Sequence, residues 1–278
     1  MNVFTSAEVA KNYISAGKAK GTMPVGRMIL LGILAGAFIA IAGVGSAVAA
    51  VSVQSPSLAK LVTACIFPGG LTMCILGGAE LFTGNCLMSI PLAKKEITAG
   101  QMLRNWGVVW VSNLIGGLIV AALVVYGHTL SLFDNGFAVS VLSTAASKCS
   151  LSFGDAFIRG ICCNFLVCMA VWIANAAKDV AGKIIGLFFP IMIFVVCGFE
   201  HCVANMYYIG AGLFAKTVPA YAQAAQAAGV DLDAINIGSF FGGNLLPATL
   251  GNIIGGSVCV GLVYYLAYLK ENKGSTPA

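Results

Sequence analysis

Two short segments decide the fold of this 278-residue chain: GAELFTGN at residues 78–85 and GFEHCVAN at residues 198–205. In each, a glutamate follows a glycine by two positions and precedes an asparagine by five. Each lies within an apolar stretch of more than thirty residues, too long for one straight helix across a bilayer at about 1.5 Å per residue. Glycines and prolines in both stretches favour helices interrupted near their centres. Non-helical backbone at that depth is tolerated only where protein buries it or where it lines a cavity.

The rest of the chain has the composition of a membrane protein. Hydrophobic residues make up 59% of it and charged residues only 9%, whereas soluble domains carry about 25% charged residues. Backbone polar groups in lipid must be satisfied internally, so the apolar segments are expected to be helices. The six expected segments are 28–53, 60–92, 105–127, 156–177, 184–215 and 240–269. The sequence therefore predicts an all-α integral membrane protein with broken second and fifth helices.

Positive charge indicates the orientation. Lysine and arginine are concentrated in the N-terminal arm (1–27), the second and fourth connections and the tail (270–278). Such residues remain in the cytoplasm, so both termini are predicted to be cytoplasmic and the protein to lie in the inner (plasma) membrane. The same topology accounts for the net charge of +5 without a nucleic-acid partner. Thr5 and Glu8 have capping-box spacing, which predicts a short amphipathic surface helix, with a gating role as an alternative.

The two halves of the chain repeat each other. Asn113 and Asn252 each begin an Asn-x-Ile-Gly-Gly motif, and each follows another asparagine, Asn105 or Asn244, by eight positions. Together with the two Gly-x-Glu segments, these ordered matches predict a duplicated three-helix unit. An odd number of crossings per unit inverts the second copy, which places the functional site near the midplane. The motif glycines are expected to allow close helix packing. The two halves cover about 28–127 and 156–269.

Apart from thiols, three ionisable side chains lie deep in the apolar segments: Glu80, Glu200 and His201. A charge at that depth costs about 2.5–3.5 kcal/mol, so each residue needs a reason to be there. The repeat-related glutamates are expected to brace the interrupted helices. His201 has no counterpart in the first half, where Leu81 takes its place. Histidine titrates near neutrality and could donate a proton to a passing anion; the alternative is a hydrogen-bonded core histidine.

The ten cysteines give no sign of a metal or redox site. They lie almost entirely inside apolar segments and lack paired CxxC spacing. Packing as small hydrophobic side chains is therefore expected, and no metal or cofactor is predicted. Cys149, which lies in a polar stretch, is the one cysteine expected to meet solvent.

Residues 78–85 and 198–206, together with CCNFLVC at 162–168, resemble the signature segments of the formate–nitrite transporter family. The resemblance runs in order over nearly the whole chain. It implies an aquaporin-like protomer of six helices and a homopentamer with one pore per subunit. It also implies a small monovalent anion as substrate, among formate, nitrite and hydrosulfide.

The resemblance further assigns roles by position. The implied hydrophobic constrictions of the pore are Phe67, Leu71, Leu81 and Phe194. The residues implied to contact the substrate are Thr83, Lys148, Asn164 and His201. The residues expected to support the site are Glu80, Glu200 and Asn205. In the mechanism that follows, Lys148 attracts the anion to the mouth. His201, or water beside it, protonates the anion, and Glu200 holds the histidine in place.

Three other functions are alternatives for a membrane protein of this kind. An aquaporin-type channel for neutral solutes would carry two Asn-Pro-Ala turns, and this sequence has none. A membrane-embedded redox or metal enzyme could use Glu200 and His201 with cysteines, although the cysteines are scattered over most of the segments. A purely structural assembly protein would have no need of an intramembrane glutamate–histidine pair.

Overall fold

The computed structural model describes residues 3–270, which fold into helices with one isolated β-bridge between Val3 and Ala177. The helices of the first half are α1 (Ser6–Thr22), α2 (Val25–Ala50), α3 (Pro56–Ile66), α4 (Pro68–Leu76), α5 (Phe82–Asn85), α6 (Ser89–Ala93) and α7 (Ala99–Tyr126). Those of the second half are α8 (Gly136–Cys149), α9 (Phe153–Ala176), α10 (Val180–Val196), α11 (Cys202–Ala215), α12 (Pro219–Ala227), α13 (Leu246–Ile253) and α14 (Val263–Tyr268). Two π-helical stretches join the last helices, Ser239–Leu245 before α13 and Ile254–Leu262 before α14. Short 3₁₀ turns lie at Cys86–Met88 and Thr129–Ser131.

The six expected membrane segments are confirmed as helices. Among the described residues, five stretches are long and apolar enough to cross a bilayer: Val25–Ala50, Pro56–Leu76, Ala99–Tyr126, Phe153–Ala176 and Ser239–Tyr268. The fifth crossing in chain order is made of two shorter apolar helices, α10 and α11. The second crossing is likewise interrupted, because α4 ends at Leu76 and the chain turns helical again only at Phe82.

Both interruptions occur at the glycines of the two deciding segments. Gly78 has a φ of +72° and Gly198 a φ of +67°, in the left-handed region that is strained for residues with a Cβ. Three residues without helical structure follow each glycine, at 79–81 and 199–201, before α5 and α11 begin. The broken second and fifth helices predicted from the sequence are therefore confirmed, and so is the place of each break.

Two asparagines satisfy the backbone at these breaks. In the first half, Asn113 Oδ1 accepts from Phe82 N at 2.9 Å. Its Nδ2 donates to the carbonyl oxygens of Glu80 at 2.9 Å and Gly32 at 2.8 Å. Asn113 lies in α7 and is fully buried. It therefore supplies, from another helix, the hydrogen bonds that the interrupted helix cannot make itself.

Asn252 in α13 does the same for the second break. Its Oδ1 accepts from Cys202 N at 2.9 Å. Its Nδ2 donates to Glu200 O at 2.9 Å and Gly160 O at 2.8 Å. Each of these three hydrogen bonds has a counterpart among the three bonds of Asn113. The matching bonds confirm the predicted repeat. The bonding role of these two asparagines was not foreseen from the sequence.

The glycines of the same motifs allow close helix contact, as expected. An ideal Cβ on Gly116 would lie 2.0 Å from Ile33 O in α2, and one on Gly255 would lie 2.2 Å from Ile161 O in α9. No side chain fits at either distance. Consequently α2 approaches α7, and α9 approaches α13 and the π-helical stretch after it, closely enough for the asparagines to reach across.

The repeat also includes one surface helix in each half. The capping box of Thr5 and Glu8 is present at the start of α1. This helix packs against α6 and α7, and it buries Val9, Ala10 and Tyr13. The matching element is α8, which packs against α11 near the opposite end of the bundle. We call these two sides the α1 face and the α8 face. A helix at α8 was not predicted from the sequence.

The exposure of the thiols differs from expectation. Cys149 is buried, because it ends α8 where that helix packs on its neighbours. Cys65 and Cys197 are the two exposed thiols among the described residues. The prediction that Cys149 meets solvent was therefore wrong: the polarity of its flanking sequence did not reveal the packing of α8.

Replacement of Asn113 or Asn252 by alanine is expected to destabilise the protein. Each change leaves buried backbone groups without partners, at a cost of about 1–3 kcal/mol per group. The midpoint of thermal unfolding in detergent should fall clearly for Asn113→Ala and Asn252→Ala. Asn12, which is exposed on α1, is the control, and Asn12→Ala should leave the midpoint unchanged. An Asn113→Ala protein as stable as the wild type would contradict this role.

Candidate functional site

A cavity of about 800 Å³ opens on the α8 face and reaches the break between α10 and α11. We call it the outer vestibule. The charged residues and the histidine that line it are Lys60, Lys148, Arg159, Glu200 and His201. Its lining also includes the nearly buried aromatic rings of Phe67 and Phe194, which are 3% and 4% exposed. The vestibule therefore passes from charged walls to an apolar floor.

The apolar floor is built from two rings predicted to form a constriction. Phe67 and Phe194 meet edge to face, with centroids 5.8 Å apart and planes at 90°. Phe194 also stacks on the His201 ring at 5.9 Å. Leu71 follows Phe67 by one helical turn, and both Leu71 and Leu81 are buried in the same hydrophobic core. The rings brought together by the fold are thus Phe67, Phe194 and His201.

His201 joins the two interrupted crossings. Its Nε2 lies 2.9 Å from Thr83 Oγ1, which belongs to the first half of the chain. Its Nδ1 accepts a hydrogen bond from Ala204 N at 3.0 Å, at the start of α11. Because Nδ1 is an acceptor, the proton of a neutral ring is on Nε2 and is donated to Thr83. The hydroxyl hydrogen of Thr83 then remains for another acceptor.

Asn164 stands behind Thr83 with its donors engaged. Its Nδ2 donates to Thr83 O at 3.2 Å and to Asn252 O at 2.7 Å. The side chain is fully buried. Asn164 therefore ties the turn that carries Thr83 to the last crossing.

Glu200 is bonded to lysine and asparagines. Its carboxylate lies 2.9 and 3.1 Å from Lys148 Nζ, and it accepts from Asn205 at 2.5 Å and Asn244 at 3.2 Å. Among the described residues no hydrogen bond joins it to His201, so the expectation that Glu200 holds the histidine was wrong. The physical reason is that neighbouring side chains of an extended segment point to opposite sides.

Glu80 has the same surroundings in the first half. Its carboxylate lies 2.6 Å from Lys20 Nζ on α1 and accepts from Asn85 at 2.7 Å. Asn105 donates to the carbonyl of Lys20 at 3.3 Å, as Asn244 does to that of Lys148 at 3.0 Å. Both glutamates are therefore held in a lysine–asparagine cluster.

Lys20 is the residue that sequence reasoning missed. A signal for it exists, because Lys20 precedes Gly32 by the same twelve positions that separate Lys148 from Gly160. Both glycines supply the carbonyls that bond the motif asparagines. Lys20 lies in the N-terminal arm, outside the two halves expected from the sequence. Its matching spacing was therefore not part of the predicted repeat.

A second cavity, of about 450 Å³, lies on the α1 face. Its lining includes Asn12 and Tyr13 of α1 and Lys183 of α10. The Tyr13 hydroxyl donates to Gly84 O at 3.2 Å, one residue beyond Thr83. The two cavities therefore approach the His201–Thr83 pair from opposite faces.

Residues 7–266 match the model of the formate/nitrite transporter family. The chain belongs to this family. Over 271 residues it is 40% identical to the uncharacterized transporter YrhG of Bacillus subtilis, covering 96% of this chain and 94% of that one. It is 35% identical to the formate channel FocA of Escherichia coli (strain K12), covering 96% and 95% of the two chains.

A solved structure described as a pentameric formate channel with formate bound has the same fold. Its TM-score is 0.81 at 33% identity, covering 88% of this chain and 98% of the other. The expected family and the expected aquaporin-like helical membrane fold are therefore confirmed. This family member is a multi-pass membrane transport protein and not an enzyme. No cluster of three potential metal ligands occurs within residues 3–270.

The buried ion pair of this transporter should tolerate loss of both charges better than loss of one. Glu80 is 4% exposed, and removing its partner leaves an uncompensated buried charge, which costs about 3–5 kcal/mol. Lys20→Met and Glu80→Gln should therefore each lower the thermal midpoint, and the double variant should recover part of the loss.

The control for this double-variant comparison is an exposed ion pair, 3.2 Å long, between Lys18 of the same helix α1 and Glu96 in the connection between α6 and α7. Solvent screens such pairs, so Lys18→Met should have little effect on the midpoint. Equal losses for Lys18→Met and Lys20→Met would show that burial of the ion pair does not matter.

Proposed function

We propose that the chain carries a small monovalent anion through a pore within each subunit, with formate as the first candidate. The observation that carries this proposal is the convergence of two cavities on the His201–Thr83 pair behind the Phe67–Phe194 constriction. Relatives named formate channels support formate in particular. Nitrite and hydrosulfide share the properties that matter, since both are small, singly charged and convertible to neutral weak acids.

The constriction determines the form in which the substrate crosses. A bare anion loses its hydration between Phe67 and Phe194, at a high cost in an apolar environment. A neutral acid avoids most of that cost. The anion is therefore proposed to take up a proton from water in the outer vestibule before it passes the rings, and to release that proton to water beyond them.

His201 acts in this proposal as a neutral hydrogen-bond donor. With Nδ1 accepting from Ala204 N, the ring has one proton, on Nε2. Giving that proton away would leave an imidazolate, which a buried apolar site does not stabilise. Water is thus favoured over the His201 ring as the source of the proton that the substrate takes up. His201 Nε2–H donates to Thr83 Oγ1 and so turns the free hydroxyl hydrogen of Thr83 towards an oxygen atom of the passing substrate. Nε2–H becomes a second donor where the substrate takes the place of Thr83 Oγ1 as its acceptor.

The remaining site residues hold this donor pair in position. Asn164 fixes the turn of Thr83. Glu200, Asn205 and Lys148 together fix the start of α11. Glu80 and Lys20 fix the start of α5 in the same way. Leu71 and Leu81 extend the apolar section of the pore. Lys148 lies at the mouth of the pore, where Glu200 balances its charge.

We also infer the assembly and the orientation. The likeness to a structure described as pentameric supports a homopentamer. The lysine and arginine distribution supports an inner-membrane location with the α1 face in the cytoplasm. In this arrangement residues 28–269 form the transmembrane domain, between a cytoplasmic arm (1–27) and a cytoplasmic tail (270–278). Of that tail, residues 271–278 lie outside the described residues.

The neutral-donor role is tested by formate flux into proteoliposomes at several pH values. Wild-type flux should rise as pH falls, because the substrate crosses with a proton. His201→Gln keeps an N–H donor near the position of Nε2 but cannot titrate, so pH dependence should persist with flux within several-fold of wild type. His201→Ala removes the donor and should lower flux about tenfold, the equivalent of one hydrogen bond.

His128, the other histidine of the chain, provides the control, and His128→Ala should behave as wild type. Loss of pH dependence in His201→Gln would mean that the ring itself titrates. A wild-type protein that moves none of formate, nitrite and hydrosulfide would refute the proposed function as a whole.

A further inference from the structure

The outer vestibule contains three cationic side chains against one carboxylate. Lys148 is not available to an incoming anion as a free charge. Its ammonium group contacts both oxygens of Glu200, at 2.9 and 3.1 Å, and its side chain is only 17% exposed. The unbalanced positive charge of the vestibule therefore belongs to its other two cations, Lys60 and Arg159.

Lys60 is positioned at the break of the fifth crossing. It lies on α3 and is exposed, and its Nζ would be 3.6 Å from a Cβ built on Gly198. Within residues 3–270 it makes no hydrogen bond or ion pair. Its ammonium group is thus held next to the left-handed turn at Gly198 with its charge uncompensated.

Arg159 lies beside the same break. It lies on α9, and its carbonyl accepts from Glu200 N at 3.4 Å, which fixes its backbone beside residues 199–201. Its side chain is exposed, and no described residue pairs with the guanidinium group. A guanidinium group can bind both oxygens of a carboxylate at once.

The cavity on the α1 face differs in this respect. Lys183 donates to Ala174 O at 3.0 Å, and Lys178 lies over the ring of Phe4 at 4.4 Å. Both lysines that line that cavity are thus already in contact with protein groups. Of these two cavities, the outer vestibule is the one with a lysine that has no partner among residues 3–270, and Arg159 adds a second such charge there.

We propose that Lys60 and Arg159 form an anion-collecting pair that captures the substrate above the Phe67–Phe194 constriction. The pair raises the local concentration of monovalent anions and holds a carboxylate beside Gly198 before it is protonated. The identity of the anion rests on the proposed function. Lys148 and Glu200 then serve to position the start of α11, and selection of anions over cations takes place at the entrance.

The native thiol of Cys197 allows a test that does not depend on transport. Cys197 is exposed, lines the outer vestibule and directly precedes Gly198. Its rates of modification by an anionic and a cationic methanethiosulfonate, followed by mass spectrometry of its peptide, report the local potential. In the Lys60→Gln/Arg159→Gln double variant the anionic-to-cationic rate ratio should fall about fivefold or more at low salt. The difference should shrink at about 1 M salt, where screening is strong.

Charge-preserving and distant changes are the matched controls. Lys60→Arg and Arg159→Lys should retain the wild-type ratio, because each keeps a cation in place. Arg27→Gln removes an exposed charge on the α1 face and should also retain it. Formate uptake at low substrate concentration and low salt should fall several-fold in the double neutral variant, and should approach the wild-type rate in high salt.

An unchanged rate ratio at Cys197 in the double neutral variant would overturn the inference, whatever the flux. So would a changed ratio with undiminished uptake, since the charges would then play no part in capture. If the ratio falls but the wild-type protein carries no formate, the proposed substrate is wrong, while the pair stands as a collector of anions. The two proposals can therefore fail separately.

Discussion

Everything at the centre of this protein depends on one constraint: backbone polar groups freed by a broken helix must be bonded inside the bilayer. Asn113 and Asn252 meet this constraint, and each reaches from a neighbouring crossing to a backbone amide and two carbonyls. Without these bonds the extended residues after Gly78 and Gly198 would be too costly to keep. The extended segment lets His201 reach Thr83 while Glu200 points to the opposite side, towards Lys148.

The repeat builds two equivalent supports for the broken helices, and the two differ at His201, the residue proposed to contact the substrate. Each half has a lysine–glutamate–asparagine cluster whose lysine comes from a surface helix, Lys20 with Glu80 or Lys148 with Glu200. These clusters are buried and nearly charge-balanced, which suits a role in holding the breaks. The histidine at position 201 and the leucine at position 81 break the equivalence. His201 can consequently bond Thr83 across the interface of the two halves.

Positive charge is divided between structure and recruitment. Lysines that pair with buried glutamates have little charge left for a substrate in solution, because their field is compensated within a few ångströms. Lys60 and Arg159, the exposed cations of the outer vestibule, have no such compensation of their charge from the described residues. Under the proposed function, this separation lets the pore attract anions at its mouth and still have a narrow section suited to a neutral molecule. Selection by charge and selection by size then take place at different depths of the proposed pore.

The sequence by itself determined the six helical segments, both breaks, the inverted repeat and the exceptional position of His201. These features follow from local chain properties: apolar length, glycines that permit left-handed backbone, and the order of repeated motifs. Only the tertiary structure decided that His201 bonds Thr83, 118 positions earlier, that Lys20 belongs to the first cluster, and that Glu200 turns away from the histidine. It also decided the burial of Cys149. The physical reason is that hydrogen bonds and ion pairs join groups brought close by helix packing, and their separation along the chain contains no record of that distance.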